Sequence, residues 1–324
     1  VRQLAHRYVL TENCNATCKH CFNAEARDKG VMDADLFIEF VRKNSINLSG
    51  VVCKIMGGEP TLHPRIIEIA LEASKHYGLV DIFTNGSRLN KITKHPNIIK
   101  EHFKDKIGYI INGYVFDLDQ YEQYKEFVKQ LCLHFVITPW GYKETLQKMY
   151  DCMDYQNDTD LQYLISCDTQ VDLFNQEELN IYRKIWLEFI KEIIPALQNR
   201  GIQWATDHKF PACFFTQEML DELNLVDLGN FHFGVSCCQC PDIGLIDWNW
   251  DFWYCNQTRI KLGSVLKESG ELKTVVDLMN EYITPSHGFK TECIKNLRTE
   301  CNDCPAVSSC RVGCYYNTLV KHCS

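Results

Sequence analysis

Three cysteines stand close together, Cys14, Cys18 and Cys21, in a polar loop that follows the strand-like run Arg7 to Thr11. The clumping recurs downstream, first at Cys237, Cys238, Cys240 and Cys255, then at Cys301, Cys304, Cys310, Cys314 and Cys323. The chain holds 18 cysteines in 324 residues. Secreted disulfide scaffolds are usually much shorter and poorer in core. Here 45% of the residues are hydrophobic, enough for one large core and a smaller module. Thiols clumped in a chain of this size read as metal or cluster ligands. The expected setting is a reducing, anaerobic cytoplasm.

Other classes recede on simple grounds. The formal net charge is −8 with no long basic run, so duplex nucleic acid is not expected as the main partner. No apolar stretch approaches the length of a membrane span, and no membrane association is expected. The start, Val1-Arg2-Gln3-Leu4, is not a secretory signal and has no initiator Met. The reading places that start inside a longer native chain.

Patterning argues for an α/β fold. Apolar runs read as strands at 7–11, 51–56, 79–83, 107–111, 133–138 and 161–166. Helical patterns lie between them. Asp33 caps one that runs through Leu36, Phe37, Phe40 and Val41, and His63-Pro64 opens a second. Others are expected at about 119–130, 141–154 and 176–199. Strands alternating with helices form parallel sheets, and about six such units make a partial barrel. Ligands of such sheets lie at the carboxyl ends of the strands. From about residue 230 helices become scarce, and aromatics and cysteines concentrate.

The first cysteine loop has a definite chemical meaning. Three thiolates hold three irons of a 4Fe–4S cube and leave the fourth iron open. Zinc is the competing reading, since it takes four ligands and His20 lies in the loop. After the second strand comes Gly57-Gly58-Glu59-Pro60, whose glycines permit close backbone approach. After the third comes Thr84-Asn85-Gly86, which alone would be a plain turn. Asn112 ends the fourth.

With these motifs in this order, residues 7 to about 200 resemble the radical S-adenosylmethionine (SAM) superfamily. The C-x3-C-x2-C loop and the "GGEP" tetrapeptide carry the resemblance. It implies a SAM-binding cluster on Cys14, Cys18 and Cys21, and SAM contacts from Gly57, Gly58, Glu59 and Pro60. Glu59 would lie near the methionyl ammonium. Thr84 and Asn85 would also contact SAM, and Asn112 its ribose. The cysteine series from Cys240 to Cys323 resembles the SPASM extension of the same superfamily. That resemblance implies two auxiliary 4Fe–4S clusters, three in all. Cys301, Cys304, Cys310 and Cys323 would hold the outer one. Cys240, Cys255 and Cys314 would hold the inner one, with Cys237, or else Cys238, as fourth ligand. SPASM hairpins usually carry Gly five residues before the second inner cysteine. Trp250 stands there, and Asn249 is expected to supply the positive-φ residue instead.

The expected architecture is a partial (βα)6 TIM-like barrel over 1–229, with a helical linker at about 170–229. A small cysteine-rich SPASM domain follows over 230–324. The resemblance implies reductive cleavage of SAM to a 5′-deoxyadenosyl radical and oxidative modification of a peptide or protein. A thioether or carbon–carbon crosslink would be such a product, with a flavodoxin or ferredoxin-type protein as electron donor. Alternatives within the family are sulfatase-maturase-like oxidation of Cys or Ser, peptide epimerisation, and dehydrogenation of a small molecule such as an aminosugar. The non-enzymatic alternative is a zinc-binding interaction module.

The remaining candidates are weighed singly. Cys53, Cys132 and Cys152 fall in strand or helix patterns and read as buried apolar residues. Cys293 is a spare ligand at most. Cys167 follows the sixth strand, where a thiol can donate a hydrogen atom to a substrate radical; an inert thiol is the blander reading. The aromatic run Trp248 to Tyr254 fits either a cleft lining or a hairpin packed over a cluster. Asp207 and His208 form an acid–base pair by type only.

Overall fold

A computed structural model describes residues 5–18, 21, 30–88, 106–115, 130–155, 161–167, 171, 175–206, 214–223, 244–253 and 261–283. The chain divides into two compact units, residues 1–132 with 239–286, and residues 133–238 with 287–324.

The first unit is built on four parallel strands. They are β1 (Ala5–Val9), β2 (Val52–Met56), β3 (Leu79–Thr84) and β4 (Ile107–Asn112), paired in that order. Helix α1 (Ala34–Lys43) connects β1 to β2, and α2 (Ile66–His76) connects β2 to β3. Asp33 caps α1, its carboxylate accepting from the backbone N–H groups of Asp35 (2.8 Å) and Leu36 (3.1 Å). The helices cover one face of the sheet. Tyr8 of β1 meets Phe37 and Phe40 of α1 edge-on, with centroids 4.9 and 6.3 Å apart. On the same face Cys53 is fully buried, and burial pushes its thiol well above the usual range. It is a core residue, as its pattern suggests.

The described part of the stretch after residue 239 packs into this unit. β8 (Leu245–Ile246) runs parallel to β1, and β9 (Asp251–Trp253) and β10 (Lys261–Ser264) continue antiparallel. Asn44 at the end of α1 accepts from the N–H of Val275 at 2.8 Å. The β8–β9 turn departs from expectation. Trp250 itself takes the left-handed conformation, with φ of 62°, and Asn249 does not. A bulky residue there is strained. Two features hold it. The Asp247 carboxylate accepts from the N–H groups of Asn249 and Asp251 (2.9 Å each) and from the Trp253 indole (2.7 Å). The Trp250 indole is buried, 6.0 Å from the Phe40 ring.

The second unit carries β5 (Gln130–Ile137, from Leu133 onward), β6 (Leu161–Cys167) and β7 (Gln203–Thr206), the last two parallel. Helices α3 (Tyr142–Tyr155) and α4 (Gln176–Asn199) pack beside them. Tyr182 of α4 donates to the Ile137 carbonyl at 2.8 Å, and Trp186, Phe189, Ile190 and Ile193 are fully buried. Cys152 of α3 is also buried, its thiol pushed up to about 11. Cys132 of β5 is buried as well. β7 lies within the stretch read as a helical linker. The helix expected at about 119–130 lies outside the described residues apart from Gln130, which is in β5.

Trp250 gives a direct test of the hairpin. Trp250→Ala should lower stability by roughly 3 kcal/mol, because the lost packing outweighs the unchanged left-handed strain. Trp250→Gly should lose about 1–2 kcal/mol less, since glycine tolerates this φ. Urea unfolding of the three proteins, compared at constant slope, checks the order.

Candidate functional site

The sequence motifs meet at the carboxyl ends of β1 to β4, all within the first unit. The cysteine loop leaves β1 and is clamped at its base. Leu10 donates to the Met56 carbonyl (2.9 Å), and Met32, beyond the loop, donates to the Leu10 carbonyl (2.8 Å). The Thr11 hydroxyl donates to the Gly30 carbonyl at 3.0 Å. His63 accepts from the Arg65 N–H on Nδ1 (3.1 Å), so Nε2 carries the proton and donates to the Met32 carbonyl (2.8 Å). Burial lowers the His63 pKa, which keeps the ring in this neutral form.

Gly57 and Gly58 lie directly against that loop. Gly58 donates to the Thr11 carbonyl and Glu59 to the Asn13 carbonyl, each at 2.8 Å. A Cβ on Gly57 would collide with the Thr11 carbonyl, and one on Gly58 with those of Glu12 and Asn13. The two glycines are therefore needed for backbone-to-backbone contact.

Glu59 is completely buried and its carboxylate is saturated. Oε1 accepts from the Thr61 N–H (3.0 Å), the Thr61 hydroxyl (2.6 Å) and the Thr84 hydroxyl (2.7 Å). Oε2 accepts from the Asn85 N–H at 2.6 Å. The carboxylate thus ties the loop after β2 to the loop after β3. Pro60 opens the short 3-10 turn Pro60–Leu62 that carries Thr61. The Asn85 side chain reaches the cysteine loop, donating to Asn15 Oδ1 at 2.9 Å, and Asn15 donates to Ser87 Oγ at 2.8 Å.

Cys14, Cys18 and Cys21 are half-buried and none is in a disulfide. Two of the sulfurs receive N–H donors: the Ala16 backbone reaches Cys14 Sγ at 3.4 Å, and Asn112 Nδ2 reaches Cys18 Sγ at 3.6 Å. No disulfide competes for these thiols, so the donor set suits an iron–sulfur cluster. Among the described residues, no group of three or more His, Cys, Asp or Glu is gathered closely enough to hold a metal ion.

Two contacts were not evident from the sequence. Trp248 lies against the backbone of Gly30, where an added Cβ would strike the indole. Its Nε1–H donates to Glu12 at 3.1 Å, so the β8–β9 turn covers the cysteine loop. The aromatic run offered the only signal for this. In the second unit His134 Nε2 lies 2.6 Å from Ser166 Oγ, a pair that strand alternation alone does not reveal. Cys237, Cys238, Cys240, Cys255, Cys293, Cys301, Cys304, Cys310, Cys314 and Cys323 lie outside the described residues, as do His20, Asp207 and His208. Cys167 ends β6.

A thiol-bearing loop set against a Gly-Gly-Glu turn lies at the carboxyl ends of parallel strands, where α/β proteins bind their ligands. Residues 8–155 match the family model for the radical SAM superfamily. That match covers the part of the chain that carries the cysteine loop and the Gly-Gly-Glu turn. The chain is 34% identical over 88 residues to the tungsten-containing aldehyde ferredoxin oxidoreductase cofactor-modifying protein of Pyrococcus furiosus, covering 25% of this chain and 23% of that one. It is 30% identical over 126 residues to the S-adenosylmethionine-dependent nucleotide dehydratase of Psychrobacter lutiphocae, covering 35% and 41%. The chain thus spans less than half the length of these curated relatives. Its fold resembles that of Streptococcus suis SuiB bound to precursor peptide SuiA, at a TM-score of 0.62 and 17% identity, over 97% of this chain and 72% of that one. The fold class is α/β, with strands and helices alternating as in a partial TIM-like barrel, followed by a small cysteine-rich extension. Among the described residues no helix is long and apolar enough to cross a membrane.

Glu59 tests the coupling of the two loops. Glu59→Gln removes an acceptor opposite a buried donor and should lower stability by about 1–3 kcal/mol. SAM affinity should fall at least tenfold, because Thr84 and Asn85 lose their anchor. Denaturant unfolding and equilibrium SAM binding read the two effects, and unchanged SAM affinity would contradict the assignment.

Proposed function

We propose that this protein is a radical SAM enzyme that oxidatively modifies a peptide or protein. The observation that carries the radical SAM reading is the Gly57-Gly58-Glu59 turn locked onto the Cys14–Cys21 loop. Cys14, Cys18 and Cys21 would hold the SAM-binding 4Fe–4S cluster. When bound, these groups would supply one-electron cleavage of SAM to a 5′-deoxyadenosyl radical and, at the auxiliary clusters, an acceptor for the electron that substrate oxidation releases.

The chain's own residues position these parts. Gly57 and Gly58 keep the space at the strand ends free of side chains. Glu59 sets the backbone of Thr84 and Asn85, so the SAM contacts inferred for these residues come from one rigid unit. Asn112 donates to Cys18 Sγ, which orients it, and it lies beside the expected ribose site. Pro60 fixes the exit from the turn. In residues 230–324, Cys301, Cys304, Cys310 and Cys323 would hold an outer auxiliary cluster. Cys240, Cys255, Cys314 and Cys237 would hold an inner one. The electron donor would be a flavodoxin or ferredoxin-type protein, in an anaerobic cytoplasm. Cys167 is reserved for an epimerising variant of the reaction, which needs a hydrogen-atom donor.

A peptide is favoured as substrate because the fold resembles that of a protein crystallised with its precursor peptide. A nucleotide is the competing substrate, raised by the relative that matches part of the chain.

Metal analysis of protein isolated without oxygen should give about twelve irons per chain with matching sulfide. Zinc in their place would make the C-terminal cysteines an interaction module. With a candidate peptide deuterated at the reacting carbon, deuterium should appear in 5′-deoxyadenosine and the product should be lighter by about two hydrogens, the signature of oxidation at a C–H bond. Solvent deuterium uptake without mass loss in ordinary water would indicate epimerisation. Turnover of a nucleotide, with no peptide needed, would overturn the peptide reading.

A further inference from the structure

The cysteine loop has an entry arm and an exit arm, and among the described residues three successive rungs join them. The first runs from the Met32 N–H to the Leu10 carbonyl at 2.8 Å. The second runs from the Thr11 hydroxyl to the Gly30 carbonyl at 3.0 Å. The arms make both of these themselves. The third is supplied from far along the chain. Trp248, in the turn between β8 and β9, donates from its indole N–H to Glu12 on the entry arm at 3.1 Å, and its ring lies against Gly30 on the exit arm. Glu12 is buried and stands two residues before Cys14, so this rung is the closest of them in sequence to the thiols.

Both parts of the indole take part. An added Cβ on Gly30 would strike the ring, so the contact needs glycine on the arm and a flat side chain above it. The N–H meets a carboxylate that has been taken out of water, where the loss of a donor is costly. The turn that presents Trp248 is held against its own local preference. Trp250 sits at a φ of 62°, and among the described residues its buried indole N–H finds no hydrogen-bond partner. Each feature costs stability. Strain of this kind persists only where the surroundings over-determine it, and it gathers at functional sites. The Asp247 carboxylate fixes the turn from its other side, accepting from Asn249, Asp251 and Trp253. Trp248 lies between these two constraints and is carried onto the loop.

We propose that Trp248 is a positioning residue for SAM binding, which pins the two arms of the cysteine loop together beside the thiols. This rests on the reading of Cys14, Cys18 and Cys21 as the SAM-binding site, and it adds to that site a residue from the C-terminal part of the chain. Without the third rung the arms are joined only further from the thiols. The loop then gains conformations that SAM binding must remove again. SAM affinity falls although none of the SAM contacts inferred above has been altered.

The test uses the full chain, isolated without oxygen and chemically reduced. SAM is titrated while the electron paramagnetic resonance signal of the cluster is followed. The proteins compared are wild type, Trp248→Phe, Trp248→Ala, Glu12→Ala and the double variant Glu12→Ala/Trp248→Phe. Trp248→Phe keeps a ring over Gly30 and removes the N–H. The expected result is SAM binding weaker by about threefold or more in Trp248→Phe and about tenfold or more in Trp248→Ala. In the Glu12→Ala background the effect of Trp248→Phe should largely vanish, because the acceptor is already gone. A general loss of stability would not depend on Glu12 in this way. A change of less than about threefold in Trp248→Phe overturns the proposal, as does an undiminished effect in the Glu12→Ala background. The comparison of Trp248→Phe with wild type stands whether or not the alanine variants fold. A wild-type signal that does not respond to SAM would defeat the radical SAM reading itself, and the proposal with it.

Discussion

One buried carboxylate organises the strand ends. Glu59 accepts four hydrogen bonds from Thr61, Thr84 and Asn85. An ionised carboxylate away from water is costly unless donors replace its hydration, and charge-assisted bonds of this kind are strong. The requirement runs outward. The donors sit on the loops after β2 and β3, so both loops must adopt one conformation for the charge to be satisfied. Gly57 and Gly58 then let the same turn press on the backbone of Thr11 to Asn13. The cysteine loop is thereby referenced to β2 and β3 as well as to its own strand.

That arrangement explains how the long loop that carries the three thiols is held in place. Loop residues usually cost more order than they return. Here the loop base is held by Leu10, Thr11, Met32 and His63, its middle by Gly58 and Glu59, and Asn15 by Asn85 and Ser87. Trp248 adds a cover from a strand pair more than 200 residues away in sequence. Cofactor chemistry in general depends on the protein for placement, and these contacts fix the position of the loop.

Much of this was legible in the sequence because it is local. Asp33 caps α1 as its position suggests, and Asn175 caps the helix that begins at Gln176, accepting from Glu177 and Glu178. The six strands expected from apolar runs are present, with ends shifted by up to about three residues, an ordinary uncertainty for pattern reading. The glycines of the tetrapeptide carried their own signal, since only close approach makes two in a row useful after a strand. What was not legible depends on tertiary contacts. Asn249 is the better residue for a left-handed turn by propensity, yet Trp250 adopts it, because burying the indole against Phe40 outweighs the backbone strain. The four donors to Glu59 sit on two separate loops, which no spacing announces. The short β7 was absorbed into a helical stretch because a strand of this length carries too few residues for a period.

The central claim is that three thiolates leave one iron free to bind SAM through its methionyl amino and carboxylate groups. Electron–nuclear double resonance on the reduced, anaerobically isolated protein addresses it directly, with SAM carrying 15N in the amino group. The account predicts a 15N coupling to the cluster spin in the wild type and its loss when Cys14, Cys18 and Cys21 are together replaced by Ala. A folded wild-type protein with reduced clusters and bound SAM but no 15N coupling would contradict it, as would a coupling that survives the triple replacement.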